Sequence, residues 1–155
     1  MIQLMPKIII SDTSCLIILS KIGQLDLLQK LYGQVITTKD IAEEFGEPIP
    51  EWLLIQNATD VYRQKILEMQ IDKGESSAIA LAMETPGSII ILDDNKARKV
   101  ATHLGLTITG TLGIIIKAKL SRIITSIKPY LEDIRQTNFR ISPELELQAL
   151  KQANE

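Results

Sequence analysis

Apolar positions along this chain come in short blocks whose spacing switches repeatedly between two periods. Positions 7–11 carry three consecutive isoleucines, stop at Asp12, Thr13 and Ser14, and give way to apolar residues at helical spacing. A β-branched run, then polar capping residues, then a helical period predicts strand, turn and helix in that order. Gly23 ends this helix, 24–32 reads as a second one, Gly33 breaks it, and 34–37 predicts a second strand. Residues 39–45 are helical again, with Gly46 as their stop. The stretch 47–58, carrying Pro48 and Pro50, is the least regular and predicts a loop with one short strand at 52–55. Beyond it the periods predict helices at 60–70 and 74–83, a strand at 88–92, a helix at 95–104, a short strand at 106–108 and helices at 110–120 and 127–136. Pro143 opens a last helix reaching about residue 154. Strands that alternate with helices predict an α/β fold with a parallel sheet, of about four or five strands, covered on both faces.

Composition narrows this picture. With 155 residues, 45% of them apolar and 23% charged, the chain reads as one packed domain over 1–155, with a core at about 7–142 and a C-terminal helix at about 143–154. Aromatic residues are only 4%, so Ile, Leu, Val and Ala must fill the core, and a platform of stacked aromatics for nucleic acid is not expected. The single cysteine, Cys15, cannot close an internal disulfide. The start of the chain has neither the basic flank nor the cleavage site of a secretory signal, and no apolar run is long enough to cross a bilayer. A cytoplasmic protein without a membrane span is the expectation.

Net charge is −2, but the charges are segregated. Positions 40–75 hold nine acids against three bases, and positions 96–135 hold eight bases against two acids. Two solvated faces are the plain interpretation. An acidic pocket beside a basic surface is the other, and it suits a cation site that must receive a polyanion.

In parallel sheets ligands sit beyond the carboxyl ends of the strands. Asp12 follows the first predicted strand and Asp93-Asp94 the strand at 88–92, so both reach one edge if those strands are neighbours. Glu44 lies on the helix after the second strand, and Glu75 opens the helix that begins at Gly74. Four segments thus offer acids to one point. Carboxylates gathered without compensation raise one another's pKa and call for a cation. All-oxygen ligands select Mg²⁺ or Mn²⁺ over zinc, whose preferred His and Cys occur once each and far apart. Phosphodiester hydrolysis is the chemistry such a site would support.

The ordered set Ile10-Ser11-Asp12-Thr13-Ser14, Glu43-Glu44-Phe45, Asp72-Lys73-Gly74-Glu75-Ser76-Ser77-Ala78, Leu92-Asp93-Asp94-Asn95-Lys96-Ala97-Arg98 and Thr109-Gly110-Thr111-Leu112-Gly113 resembles the PIN-domain nucleases. Within them it is similar to a prokaryotic branch related to VapC-type toxins. The resemblance runs from about residue 7 to 122. It implies a three-layer α/β/α fold and a metal-dependent endoribonuclease, the toxin of a toxin–antitoxin pair, with RNA as substrate, an antitoxin protein as partner and a homodimer as assembly. Asp12, Glu44, Glu75 and Asp94 are implied as the acidic quartet that is both catalytic and metal-holding, Glu75 standing where VapC-type toxins commonly carry Asp. Glu44 is preferred to Glu43 because it directly precedes the bulky Phe45.

Secondary candidates surround these. Asp93 either supports the site or caps the helix at 95–104, and the cap is preferred. Ser14 and Thr111 offer hydroxyls to substrate or are plain helix-start residues. Lys96, Arg98 and Lys99, with Lys117 and Lys119, would form a basic rim for RNA. For the dimer, the helices at 24–32 and 39–45 carry more Leu, Ile and Phe than one buried face needs. Cys15 reads as core, His103 as a helix-end residue and Trp52 as a loop anchor. Two other functions remain open: a non-catalytic binding module, and a phosphatase of the haloacid-dehalogenase type. The latter needs a second Asp two positions after Asp12, where Ser14 stands.

Overall fold

The computed structural model describes residues 7–155; the first residues of the expected 1–155 domain, and the absence of a leader read from them, lie outside it. Five strands form one all-parallel sheet: β1 (Ile8–Ile10), β2 (Gln34–Thr37), β3 (Leu53–Ile55), β4 (Ile89–Ile91) and β5 (Ile108–Thr109). Their spatial order is β3-β2-β1-β4-β5. The inner strands β1 and β4 are each three isoleucines, the unbroken apolar run that a strand covered on both faces requires. Register sets Ile9 of β1 opposite Val35 on one side and Ile89 on the other.

Helices flank the sheet in three layers. They are α1 (Thr13–Lys21), α2 (Leu27–Leu31), α3 (Lys39–Phe45), α4 (Val61–Leu67), α5 (Lys73–Met83), α6 (Asn95–His103), α7 (Thr111–Leu120), α8 (Lys128–Arg135) and α9 (Pro143–Gln152). The main apolar cluster joins both sheet faces to α1, α3, α5 and α6. A second one, built on Ile18, Leu27, Ile115, Ile127, Leu131 and Ala149, holds the last three helices against α1 and α2.

The chain order runs outward from β1 to β2 and β3, then returns to β4 and β5 on the other side. The gap between β1 and β4 is therefore the point where the topology reverses, and the loops that leave these two strands diverge around it. Asp12 and Asp93-Asp94 occupy those loops. Of the sequence expectations, the strand at 52–55 forms despite its two nearby prolines, because Leu53 to Ile55 pair along Val35 to Thr37. The last strand lies slightly later than its apolar residues suggested, at Ile108–Thr109, where it pairs with Ile90 and Ile91. The helix expected at 24–32 narrows to Leu27–Leu31.

The apolar surplus attributed to 24–32 and 39–45 does not reach the surface. Leu27, Leu28, Ile41 and Phe45 are all buried, so these helices do not offer the dimer face expected of them. Large exposed apolar side chains gather instead on β3 and α4, at Leu54, Ile55, Val61, Tyr62 and Ile66, with Met69 just beyond. Among the described residues no helix is long and apolar enough to cross a membrane.

Candidate functional site

Three of the acids at this edge are fixed by capping the helix that follows them. Asp12 caps α1: one carboxylate oxygen accepts from the Cys15 N–H at 2.9 Å, the other from the Asp93 N–H at 3.1 Å. Asp94 caps α6 by accepting from the Ala97 N–H at 2.9 Å. Asp72 caps α5 through the Glu75 N–H at 2.8 Å, making Asp72-Lys73-Gly74-Glu75 the start of a capping-box pattern. Free N–H groups at helix starts favour these charges, which helps explain why acids end up on this edge.

The cap of α6 differs from the one preferred on sequence. It is Asp94, not Asp93, because Asp93 turns inward. Its two carboxylate oxygens accept from the Thr111 N–H at 2.9 Å and the Thr111 hydroxyl at 2.5 Å. Thr111 is fully buried, so both its polar groups serve Asp93 rather than facing solvent. Arg98 lies alongside, donating from Nη1 to the Leu92 carbonyl at 2.6 Å. Gly110 allows this crowding: a Cβ there would stand 3.0 Å from Asp93 Oδ1 and 3.1 Å from Arg98 Nη1.

Glu44 and Glu75 meet this group from the other side of β1. A Cβ on Gly74 would lie 3.1 Å from Glu44 Oε1, 3.5 Å from Thr13 Oγ1 and 3.5 Å from Ile41. The bare glycine thus lets α3 bring Glu44 against the start of α5 and the residue after Asp12. Glu43 points elsewhere, making an exposed pair with Lys39.

Electrostatics show the acids acting on one another. Burial pushes the Asp12 carboxyl well above its ordinary range, and the charges of Asp93 and Glu75 push it further, against the two N–H donors that hold it down. Glu75 is raised to about 7, first by desolvation and then by Asp72 and Asp94. Asp93 is raised by burial, with Thr111 and Arg98 opposing. Asp12, Glu75, Asp93 and Asp94 therefore form one field, with Glu44 at its margin. Asp72 and Asp93 are the members that sequence reading undervalued; the spacing of Asp72 to Glu75 was the available signal for the first.

Among the described residues, no three acids, histidines or cysteines are drawn together as a finished ligand set. Asp12, Asp93 and Asp94 are each held by backbone N–H donors of their own. The donor chemistry nevertheless fits a hard divalent cation: several carboxylates, no nearby imidazole, and two carboxyls raised by burial and then by neighbouring acids.

The remaining candidates find plain places. Ser14 is exposed on the first turn of α1 and makes no bond to Asp12, whose partners are Cys15 and Asp93. No acid stands two positions after Asp12. Lys96 and Lys99 are exposed on α6, but Lys117 lies 4.5 Å over the Tyr32 ring and Lys119 binds the Ala153 carbonyl and Glu155. The basic rim is thus shorter than expected. Cys15 is fully buried, His103 is in the exposed last turn of α6, and Trp52 packs half-buried against the core.

The chain has no significant match among curated proteins. A family profile described as a PIN domain matches residues 8–155, which takes in all five strands and every acid of the edge. PIN domains are generally nucleases, and an acid-lined switch point on a parallel sheet is consistent with that. By this match over nearly its whole length, the chain belongs to the PIN-domain family.

Proposed function

We propose that the protein is a metal-dependent endoribonuclease. The observation that carries this reading is the gathering of acids at the β1/β4 switch point, where Asp12 is raised by burial and then by Asp93, and Glu75 by burial and then by Asp72 and Asp94, a cost that a bound cation would remove. Asp12, Glu44, Glu75 and Asp94 would hold Mg²⁺ or Mn²⁺. When bound, such a cation supplies a water acidic enough to attack at neutral pH and neutralises charge on the phosphate. Asp93, anchored on Thr111, positions Asp12 through its backbone N–H, so it is a positioning residue. Lys96, Arg98 and Lys99 on the first turns of α6 draw the phosphate backbone toward the acids.

Single-stranded RNA should be hydrolysed with Mg²⁺ or Mn²⁺ and spared in EDTA. Asp12→Ala and Asp94→Asn should each abolish cleavage, and Glu44→Gln should lower it severely. Full activity in Asp94→Asn overturns the assignment, and tight RNA binding without cleavage by the wild type would make the protein a binding module instead. The cellular form of this reading is the toxin of a toxin–antitoxin pair: induced wild-type chain should arrest growth where Asp94→Asn does not. We also infer a homodimer, formed through the exposed apolar face of β3 and α4.

A further inference from the structure

Next to the acids, between β5, α7 and the returning C-terminal segment, lies a cavity of about 540 Å³. Asp93 and Arg98 form its inner wall, shared with the acid cluster, and Phe139, Arg140, Gln148 and Gln152 form the outer one. Its volume falls within the range of small-ligand pockets, and its lining combines apolar walls with a few convergent polar groups. We propose that this cavity is a subsite for one unstacked RNA nucleotide beside the phosphate that is cut. The inference rests on the ribonuclease reading and names where its substrate is gripped.

Three features select a nucleotide. Phe139 is half-buried, packed on the second apolar cluster, and its backbone N–H is tied to the Thr137 hydroxyl at 3.1 Å, so its ring is held in place. A ring so fixed is a stacking surface for a base, and unpaired RNA bases are commonly bound by stacking on one aromatic side chain. Gln148 and Gln152 stand one turn apart on α9, both on the cavity side, and their amides can donate to and accept from a base edge. Arg140 is exposed, with no ion pair among the described residues, and Arg98 spends one guanidinium nitrogen on Leu92 while keeping its other donors. Two guanidinium groups in one cavity match a phosphodiester rather than a neutral ligand. Phe139 also borders a second, smaller cavity of about 200 Å³ that includes Ser14 and Lys21, so the surface continues beyond a single nucleotide.

The test compares fluorescein-labelled oligouridylate with an abasic strand of equal length, which keeps the phosphates and lacks the bases. Anisotropy is measured on the full chain in EDTA, where no cleavage interferes. Wild type should prefer the base-bearing strand by on the order of ten-fold. Phe139→Leu, which keeps apolar bulk, and the exposed pair Gln148→Ala with Gln152→Ala should lose that preference. Arg140→Gln should weaken both strands equally. Equal affinity of wild type for the two strands, or a preference that survives in both sets of variants, overturns the proposal. Metal-dependent cleavage that persists alongside either result would leave the nuclease reading standing without this subsite. Base preference without any cleavage would do the reverse.

Discussion

Glu75 is the residue where folding and chemistry pull in opposite directions. Its carboxyl is raised from 4.5 to about 7, so between those values the folded chain holds a proton that the unfolded chain has released. Stability must then fall as pH rises through that window and level off above it. The elevated Asp12 acts in the same sense, whereas Glu84, held low by the Thr59 and Asp60 N–H groups, and Glu155, held low by the Ser126 hydroxyl and the Ile127 N–H, lose stabilisation only on acidification. Thermal melts in EDTA should therefore show wild type less stable at pH 8 than at pH 5.5. Glu75→Gln should reduce that difference and melt above wild type at pH 8, an advantage that saturating Mg²⁺ removes by stabilising the wild type more. A pH dependence unchanged in Glu75→Gln would show that the acids do not share a field. Gly74 gives a second test at this scale. Alanine there gains helix propensity, up to about 1 kcal/mol, but its methyl group would crowd Glu44 Oε1 from 3.1 Å. Gly74→Ala should melt at or above the wild-type temperature while cleavage falls by on the order of ten-fold, since small misplacements at a reacting centre are costly. Equal activity in the two proteins would remove Glu44 from the site.

At the scale of elements, α6 is the one through which the acids and the basic surface are linked: Asp94 caps it and Lys96 and Lys99 leave its exposed side. Reversing both lysines to glutamate should weaken RNA binding and flatten its salt dependence by roughly 0.7 per lost contact, leaving Mg²⁺ binding in place. Lys119→Gln should leave the slope unchanged, because that ammonium is already committed to Ala153 and Glu155. An unaltered slope in the α6 variant would make the stretch an ordinary solvated face. Most elements were legible because β1, β2, β4 and β5 are largely β-branched runs that lead into a polar cap or a glycine, as β3 with its Leu53-Leu54-Ile55 is not, and because glycines close helices as well. Gly46 illustrates this: it ends α3 with a φ of 74°, a left-handed conformation that glycine adopts without cost. What the sequence concealed was side-chain direction. Adjacent acids Asp93 and Asp94 look interchangeable in one dimension, yet only the second reaches the Ala97 N–H, while the first turns toward Thr111, distant in sequence. Likewise a run of lysines and arginines carries no mark of which members are already bound to an aromatic ring, as Lys117 is, or to a distant carbonyl and carboxylate, as Lys119 is.

For the whole molecule, the exposed apolar face at the β3 edge has the clearest consequence. β3 is an outer strand whose far side has no partner in the sheet among the described residues; its Leu54 and Ile55 are exposed, and so are Tyr62 (73%) and Ile66 (63%) on α4 and Met69 (84%) just after it. Strand edges flanked by apolar surface invite pairing with another chain unless charge or cover prevents it, and no lysine occurs within β3 to do so. A two-fold axis beside this edge would let each copy cover the other's patch with the same residues, as a closed dimer requires. Asp12, Asp93 and Asp94 follow β1 and β4, which β2 separates from β3, so association through the outer edge of β3 would leave that part of each copy's site open to a long single strand. Light scattering at tens of micromolar should therefore report twice the chain mass, and Tyr62→Glu combined with Ile66→Glu should yield a monomer with an unchanged circular dichroism spectrum. Because both side chains are largely exposed and neither is one of the acids, that monomer should still cleave RNA. A wild-type monomer, or a dimer that survives both substitutions, would exclude the β3–α4 face as the interface.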